Sequence, residues 1–347
     1  MKNIISLIVF LLLSVSCLEA KPKIVILATG GTIAGSIDSE LETTGYKAGV
    51  IGVETLIKAV PQIKDIAQVS GEQIANIDSS NMNDEIWLKL AKKINELLKK
   101  DVDGIVITHG TDTMEETAYF LNLTIKSNKP VVLVGAMRPA TAMSADGPKN
   151  LYNAVALAAN KNAKNKGAMI AMDDKILGAR GAVKTHTLNV DAFTSPDFGN
   201  LGYIVDGRVF FYNTISKDHT TKTPFDVSKL KTLPKVDILY TYSNDGSGVA
   251  AKALFENGTQ GLVVAGSGAG SIHENQKEVL KNLMKKGLKV AVSTRVVAGS
   301  VAVSKDDQNL GFISAQNLNP QKARVLLMLA LTKTHDNAKI QKYFEKY

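Results

Sequence analysis

Ile24-Val25-Ile26-Leu27-Ala28 runs into Thr29-Gly30-Gly31-Thr32, and Gly104-Ile105-Val106-Ile107-Thr108 runs into His109-Gly110-Thr111-Asp112. Each is an apolar, strand-like run ending in a short glycine- and threonine-bearing turn. Continuous apolar strands of this kind suit a parallel sheet covered on both faces. In an open α/β sheet the chemistry gathers beyond the carboxyl ends of the strands. Both turns therefore carry a threonine hydroxyl to the place where a small ligand would sit. Glycine lets the backbone come close to that ligand, and a hydroxyl beside free N–H groups is what acyl transfer requires.

Working outward, strand and helix signals alternate along the chain. Residues 53–60 read as a short helix stopped by Pro61, and residues 84–100 as a longer one. In the latter, Ile86, Leu90, Ile94, Leu97 and Leu98 recur at helical spacing. After the second turn, Thr113-Met114-Glu115-Glu116 reads as a capping box, with Thr113 as cap and Glu116 reaching back. Residues 130–134 and 168–172 read as strands and 151–160 as a helix. Residues 202–212 read as a hairpin about Asp206-Gly207. A second α/β series follows, with strands at 236–240, 261–265 and 289–293 and helices at 248–256, 274–286, 320–331 and 338–345. The expected architecture is α/β: a larger N-terminal domain with a mixed or parallel sheet (21–213), a linker (214–235) and a smaller C-terminal parallel-sheet domain (236–347).

The chain has 347 residues, 45% hydrophobic and 21% charged, which is the composition of a two-domain globular protein. Residues 1–20 differ from the rest. Lys2 precedes an apolar run from Ile4 to Leu13, and small and polar residues lead to Ala20. The run is too short to span a bilayer and reads as a secretory signal peptide cleaved near Ala20, which would make the protein periplasmic. Cleavage before Cys17 with lipid attachment is the competing reading. Cys17 is the only cysteine, so the mature chain is expected to have no disulfide, thiolate metal site or cysteine nucleophile. The net charge of +8 comes from scattered lysines, such as Lys92-Lys93 and Lys285-Lys286, without interleaved aromatics. These read as solvated helix faces and not as a nucleic-acid platform.

Thr32 is a candidate nucleophile, but an unaided hydroxyl is a poor one and needs a base or a polarising partner. Thr111 and Asp112 supply a second hydroxyl and a carboxylate. Candidate bases are Lys184, in a polar turn after Gly178-Ala179-Arg180-Gly181, and Tyr46, in the glycine-punctuated segment 36–49. Lysine acts as a base only when neutral. The residues alone leave other readings open: the Thr-Gly-Gly-Thr turn could end a strand or bind phosphate, and His109 reads as structural. The five histidines show no metal-ligand spacing. Gly266-Ser267-Gly268-Ala269-Gly270 lacks the following acidic residue that a nicotinamide cofactor needs.

Taken together, Ala28-Thr29-Gly30-Gly31-Thr32-Ile33-Ala34-Gly35 and ITHGTDTMEETAYFL at 107–121 resemble the two signatures of bacterial type II L-asparaginases. VGAMRPATAMSADGPKNLYNA at 134–154 and LNPQKARVLLMLAL at 318–331 match that family as well. The resemblance covers essentially the whole chain after the leader. It implies hydrolysis of asparagine to aspartate and ammonia without metal or organic cofactor. It makes Thr32 the nucleophile of a β-aspartyl ester, Tyr46 its lid partner, and Thr111, Asp112 and Lys184 a second triad. Ser79 would meet the α-carboxylate, with Ser80 next to it in the substrate site, Asp112 the α-ammonium, and backbone N–H groups near Thr111 and Ala136 the oxyanion. Ser271 would come from a neighbouring subunit of a homotetramer with inter-subunit sites.

Three departures from the family stand out. Ser80 is shorter than the Gln or Glu usual there. Ala269 replaces a common Asn, with Ser271 beside it. The stretch 299–307 shows no counterpart of the neighbour-supplied glutamate. A looser grip at the α-amino end would admit glutamine, as a side substrate or as the main one. An exported amino-acid-binding protein is the reading from a different class; it accounts for the leader and two lobes but not for two threonine turns with a lysine.

Overall fold

The structure, a computed structural model, describes residues 20–36, 39–42, 44–45 and 47–347. The leader with Cys17, and Tyr46, lie outside the described residues.

Among the described residues the larger domain is built on an eight-stranded mixed sheet. Its strands are β1 (Lys23–Gly30), β2 (Gln68–Ile77), β3 (Gly104–Thr108), β4 (Val131–Val134), β5 (Ala168–Met172), β6 (Lys175–Gly178), β9 (Gly202–Val205) and β10 (Arg208–Phe211). They lie in the order β10-β9-β6-β5-β4-β3-β1-β2. The block β5-β4-β3-β1-β2 is parallel, and β6, β9 and β10 join it antiparallel. A separate two-stranded ribbon pairs β7 (Val183–Lys184) with β8 (Phe193–Thr194). The smaller domain holds a four-stranded parallel sheet, β11 (Val236–Tyr240), β12 (Gly261–Gly266), β13 (Lys289–Thr294) and β14 (Ile313–Ser314), in chain order.

The central strands are apolar throughout because both faces are covered. In β3, Ile105 and Ile107 join one core cluster and Val106 the other, so successive side chains feed opposite layers. Each such fully buried aliphatic side chain contributes about 1.5–3 kcal/mol. The helix Asp84–Leu97 covers one face through Trp87, Leu90, Ala91 and Ile94. It begins at Asn83, whose side chain accepts the Ile86 N–H at 3.0 Å.

Several expectations change. The helix expected at 151–160 spans Gly147–Ala159: Pro148 is a first-turn residue, where its missing N–H costs nothing. Residues 68–77, not assigned from the sequence, form the edge strand β2, which is largely polar and buries only Ile74. Lys184 is not in a turn but at the end of β7. Asp206 and Gly207, both at positive φ, close the β9–β10 hairpin as expected.

Candidate functional site

β1 and β3 are adjacent and parallel, with Ala28 opposite Thr108, so their terminal turns leave the sheet side by side. Glycine allows the turns to touch. Gly31 has φ +82°, and a Cβ there would fall 2.3 Å from the Gly110 nitrogen. Gly110 in turn has no room for a side chain, since a Cβ would lie 2.6 Å from Ser79 Oγ. The two threonine turns therefore pack backbone to backbone, and the Ser79 side chain packs against the second of them. Thr32 and Thr111, each one residue beyond this contact, are both buried. Thr29, also buried, donates its hydroxyl to the Thr108 carbonyl at 2.9 Å and ties the two strand ends together. Gly31→Ala is expected to cost at least about 2 kcal/mol, from the φ penalty plus overlap with Gly110. Activity and thermal midpoint should fall together, while an alanine at exposed Gly52, which has φ −71° and faces open space, serves as the control.

Lys184 completes the group. Its ammonium donates to Thr111 Oγ1 at 2.9 Å and lies 2.5 Å from Asp112 Oδ1. The Lys184 side chain is 16% exposed and that of Asp112 62%, so the pair spans from the protein interior to solvent. The structure thus joins Thr111, Asp112 and Lys184 in one hydrogen-bonded cluster beside the turn that carries Thr32. Asp112, Lys184 and Thr185 line a cleft of about 440 Å³ whose other wall, with Thr294, Arg295 and Asn319, belongs to the smaller domain.

Ser79 is buried in the 3₁₀ turn Ser79–Asn81 and accepts the Thr113 hydroxyl on its carbonyl at 2.8 Å. The capping-box expectation is overturned here. Thr113 occupies the cap position, but its hydroxyl serves Ser79 and makes no cap bond. Ser80 is exposed, and its N–H and hydroxyl both donate to Asp78 Oδ1, at 2.8 and 2.7 Å. Ala136 is buried just after Gly135, where a Cβ would lie 3.1 Å from Thr111 Cγ2, so this loop abuts the second turn. Ser271 is not part of the cluster in the single chain. It bridges to Ser267 after β12 and lines a separate cleft with Lys277, Ser304 and Asp307.

His109 is buried and structural. Its Nδ1 lies 2.7 Å from the Gly110 carbonyl, which can only accept, so Nδ1 carries the proton. Nε2 then accepts from the Thr117 hydroxyl at 2.8 Å, and that oxygen accepts from Trp87 Nε1 at 2.8 Å. Burial drives the imidazole down to about 4, and the Gly110 bond offsets only part of this. Between about pH 4 and 6.5 the unfolded chain thus binds a proton that the folded one refuses, and this contribution to stability is lost as pH falls. Glu116 has the opposite sign: burial raises it to about 7, so its contribution is lost as pH rises. His109→Gln should therefore make the slope of unfolding free energy against pH less positive, or more negative, by up to about 1.4 kcal/mol per pH unit between pH 4.5 and 6.5, with the opposing Glu116 contribution left in place. Urea unfolding of both proteins across that range measures it, and parallel slopes would rule it out.

Sequence reasoning missed Glu115 and Asn319. Glu115 is buried, and its carboxylate accepts the Lys184 N–H at 2.8 Å and the Asn319 amide at 2.6 Å. The signal was present as the pair Glu115-Glu116, but local cap chemistry does not separate a buried carboxylate from a capping one.

The family described as "Asparaginase, N-terminal" matches residues 23–217, and "Glutaminase/Asparaginase C-terminal domain" matches residues 235–344. The chain is 55% identical over 337 residues to "L-asparaginase 2" of Bacillus subtilis, covering 96% of this chain and 89% of that protein. It is 53% identical over 328 residues to a Haemophilus influenzae protein named "Probable L-asparaginase periplasmic", covering 94% and 93%. A crystal structure of a protein described as a probable cytoplasmic L-asparaginase from Campylobacter jejuni is 77% identical, with a TM-score of 0.93 over 94% of this chain and all of that one (100%).

Proposed function

The chain belongs to the asparaginase family, and from that premise we propose that it hydrolyses the side-chain amide of L-asparagine to L-aspartate and ammonia. The observation that carries this reading is Lys184 bonded to both Thr111 and Asp112 next to the Thr32 turn. Thr32 Oγ1 attacks the amide carbonyl, and its proton passes to the Thr111–Lys184–Asp112 network, in which Lys184 is the proton-transfer group. The C–N bond breaks with protonation of the leaving nitrogen, so ammonia departs from a β-aspartyl ester. Water then cleaves the ester and restores the threonine. Backbone N–H groups near Thr111 and Ala136 face the oxyanion, and loss of one such donor typically costs about 10²–10³ in rate. Ser79 takes the α-carboxylate and Asp112 the α-ammonium. The family resemblance makes Tyr46 the partner of Thr32.

Glutamine hydrolysis is the second reading. Ser80 supports it, because its hydroxyl is engaged by Asp78 and its side chain is too short to add a grip on the amino-acid head. A methylene alone discriminates by only about 1–3 kcal/mol. Ammonia release from each amide by the purified protein, compared as kcat/KM, tests both readings. No release from either by the folded protein would overturn the hydrolase reading, and stoichiometric heat without turnover would favour a binding protein.

The leader supports export to the periplasm. The name of the H. influenzae relative agrees with that reading, whereas the C. jejuni protein is described as cytoplasmic. An amino terminus at residue 21 in the periplasmic fraction would support cleavage after Ala20; a mature chain beginning with a lipidated Cys17 would replace it. The family resemblance further supports a homotetramer in which Ser271 approaches a neighbour's site. Light scattering of the purified protein reads this directly, and a monomer with full activity would remove Ser271 from the assignment.

A further inference from the structure

We infer that Glu115 is a positioning residue for Lys184, and that Asn319 and Lys322 of the smaller domain hold it in that role. The inference rests on the proposed part of Lys184 in acyl transfer.

The argument begins with an edge. β7 pairs on one side only, with β8. The Thr185 N–H points to that partner, donating to the Ala192 carbonyl at 2.8 Å. Strand alternation therefore turns the Ala182 carbonyl and the Lys184 N–H to the opposite side. In a buried setting these two groups need partners, since an orphaned buried polar group loses its hydration without replacement. Side chains substitute for the missing strand. Lys322 donates its ammonium to the Ala182 carbonyl, and Glu115 Oε2 accepts the Lys184 N–H at 2.8 Å.

Both clamping groups are buried and each is fixed by a further bond. Glu115 sits in the first turn of the helix Met114–Thr124, directly after the turn carrying Thr111 and Asp112. Its Oε1 accepts from Asn319 Nδ2 at 2.6 Å. Asn319 caps the helix Pro320–Leu331 through Oδ1, which accepts the Lys322 N–H at 3.1 Å. The cap requires the amide oxygen to face the helix, so the amide nitrogen must face Glu115. Burial lowers the Lys322 ammonium to about 8, and the Glu115 carboxylate opposes this shift.

Glu115 thus ties the strand bearing Lys184 to the helix that follows Thr111 and Asp112. The Lys184 ammonium reaches those two residues from a backbone paired with β8 on one side and held by Glu115 and Lys322 on the other. A displacement of about 1 Å at such a group can cost up to about 10²-fold in rate.

The test compares the parent enzyme with Glu115→Gln, Lys184→Met and the double variant. Glutamine keeps the shape but turns one donor face toward a donor. Glu115→Gln should lower kcat by about 10²-fold while aspartate affinity stays within a few-fold of the parent. In the Lys184→Met background it should add little further loss, because its effect passes through Lys184. Asn319→Ser keeps a capping oxygen but cannot reach Glu115. It should lower kcat more mildly with aspartate affinity unchanged, and it serves if Glu115→Gln does not fold. Parent-like kcat in the folded variants, or a Glu115→Gln loss that multiplies in full onto Lys184→Met, would overturn the inference. Parent-like turnover in Lys184→Met alone would instead overturn the reading of Lys184.

Discussion

Thr32→Ala is expected to lower kcat for asparagine by about 10⁴- to 10⁶-fold, the scale of removing the nucleophile from a covalent mechanism. Aspartate binding should survive, because Ser79, Thr111 and Asp112 belong to other turns and keep their own bonds. The fold should survive as well. Thr32 opens a short 3₁₀ turn whose Gly35 N–H donates to the Thr32 carbonyl at 2.8 Å, a backbone bond that alanine retains. The informative measurements are single-turnover ammonia release and calorimetry with aspartate on the same preparation. Near-normal turnover would transfer the nucleophile to Thr111, whose hydroxyl already contacts Lys184.

Lys184→Met is expected to cost about 10²–10⁴-fold in kcat, the usual contribution of a positioned proton-transfer group. Its effect on stability should be small, and the geometry explains why. Asp112, left without its cation, is 62% exposed and regains water, and an ion pair of that exposure contributes about 0–1 kcal/mol. The backbone of Lys184 remains held by Glu115, since that bond uses the N–H and not the side chain. Activity and stability therefore separate in this variant, whereas in Gly31→Ala they fall together. A thermal midpoint that drops as steeply as the rate would show Lys184 to be chiefly structural.

Much of the fold can be read along the chain. The apolar runs at β1, β3, β4, β12 and β13 have neighbours on both faces, so their composition alone marks them as central strands. β2 is harder to read because an edge strand needs only half its residues apolar. The two-residue strands β7 and β8 carry no periodicity at all, and Lys184 accordingly reads as a turn residue. Thr113 fits a local pattern, yet its hydroxyl goes to Ser79, thirty-four positions away in sequence. Local rules rank local partners, and a nearby turn offers a better one.

The linear order of residues determined that two glycine-bearing turns end apolar strands and that each presents a threonine; periodicity and the steric demands of glycine require no more. Only the folded chain decided that Gly31 meets Gly110, that a ribbon far along the sequence delivers Lys184 to Thr111 and Asp112, and that Glu115 anchors it. These are contacts between segments whose separation carries no local energy. They exist because burying both faces of the sheet brings those segments together, and the buried polar groups then take the partners that packing leaves within reach.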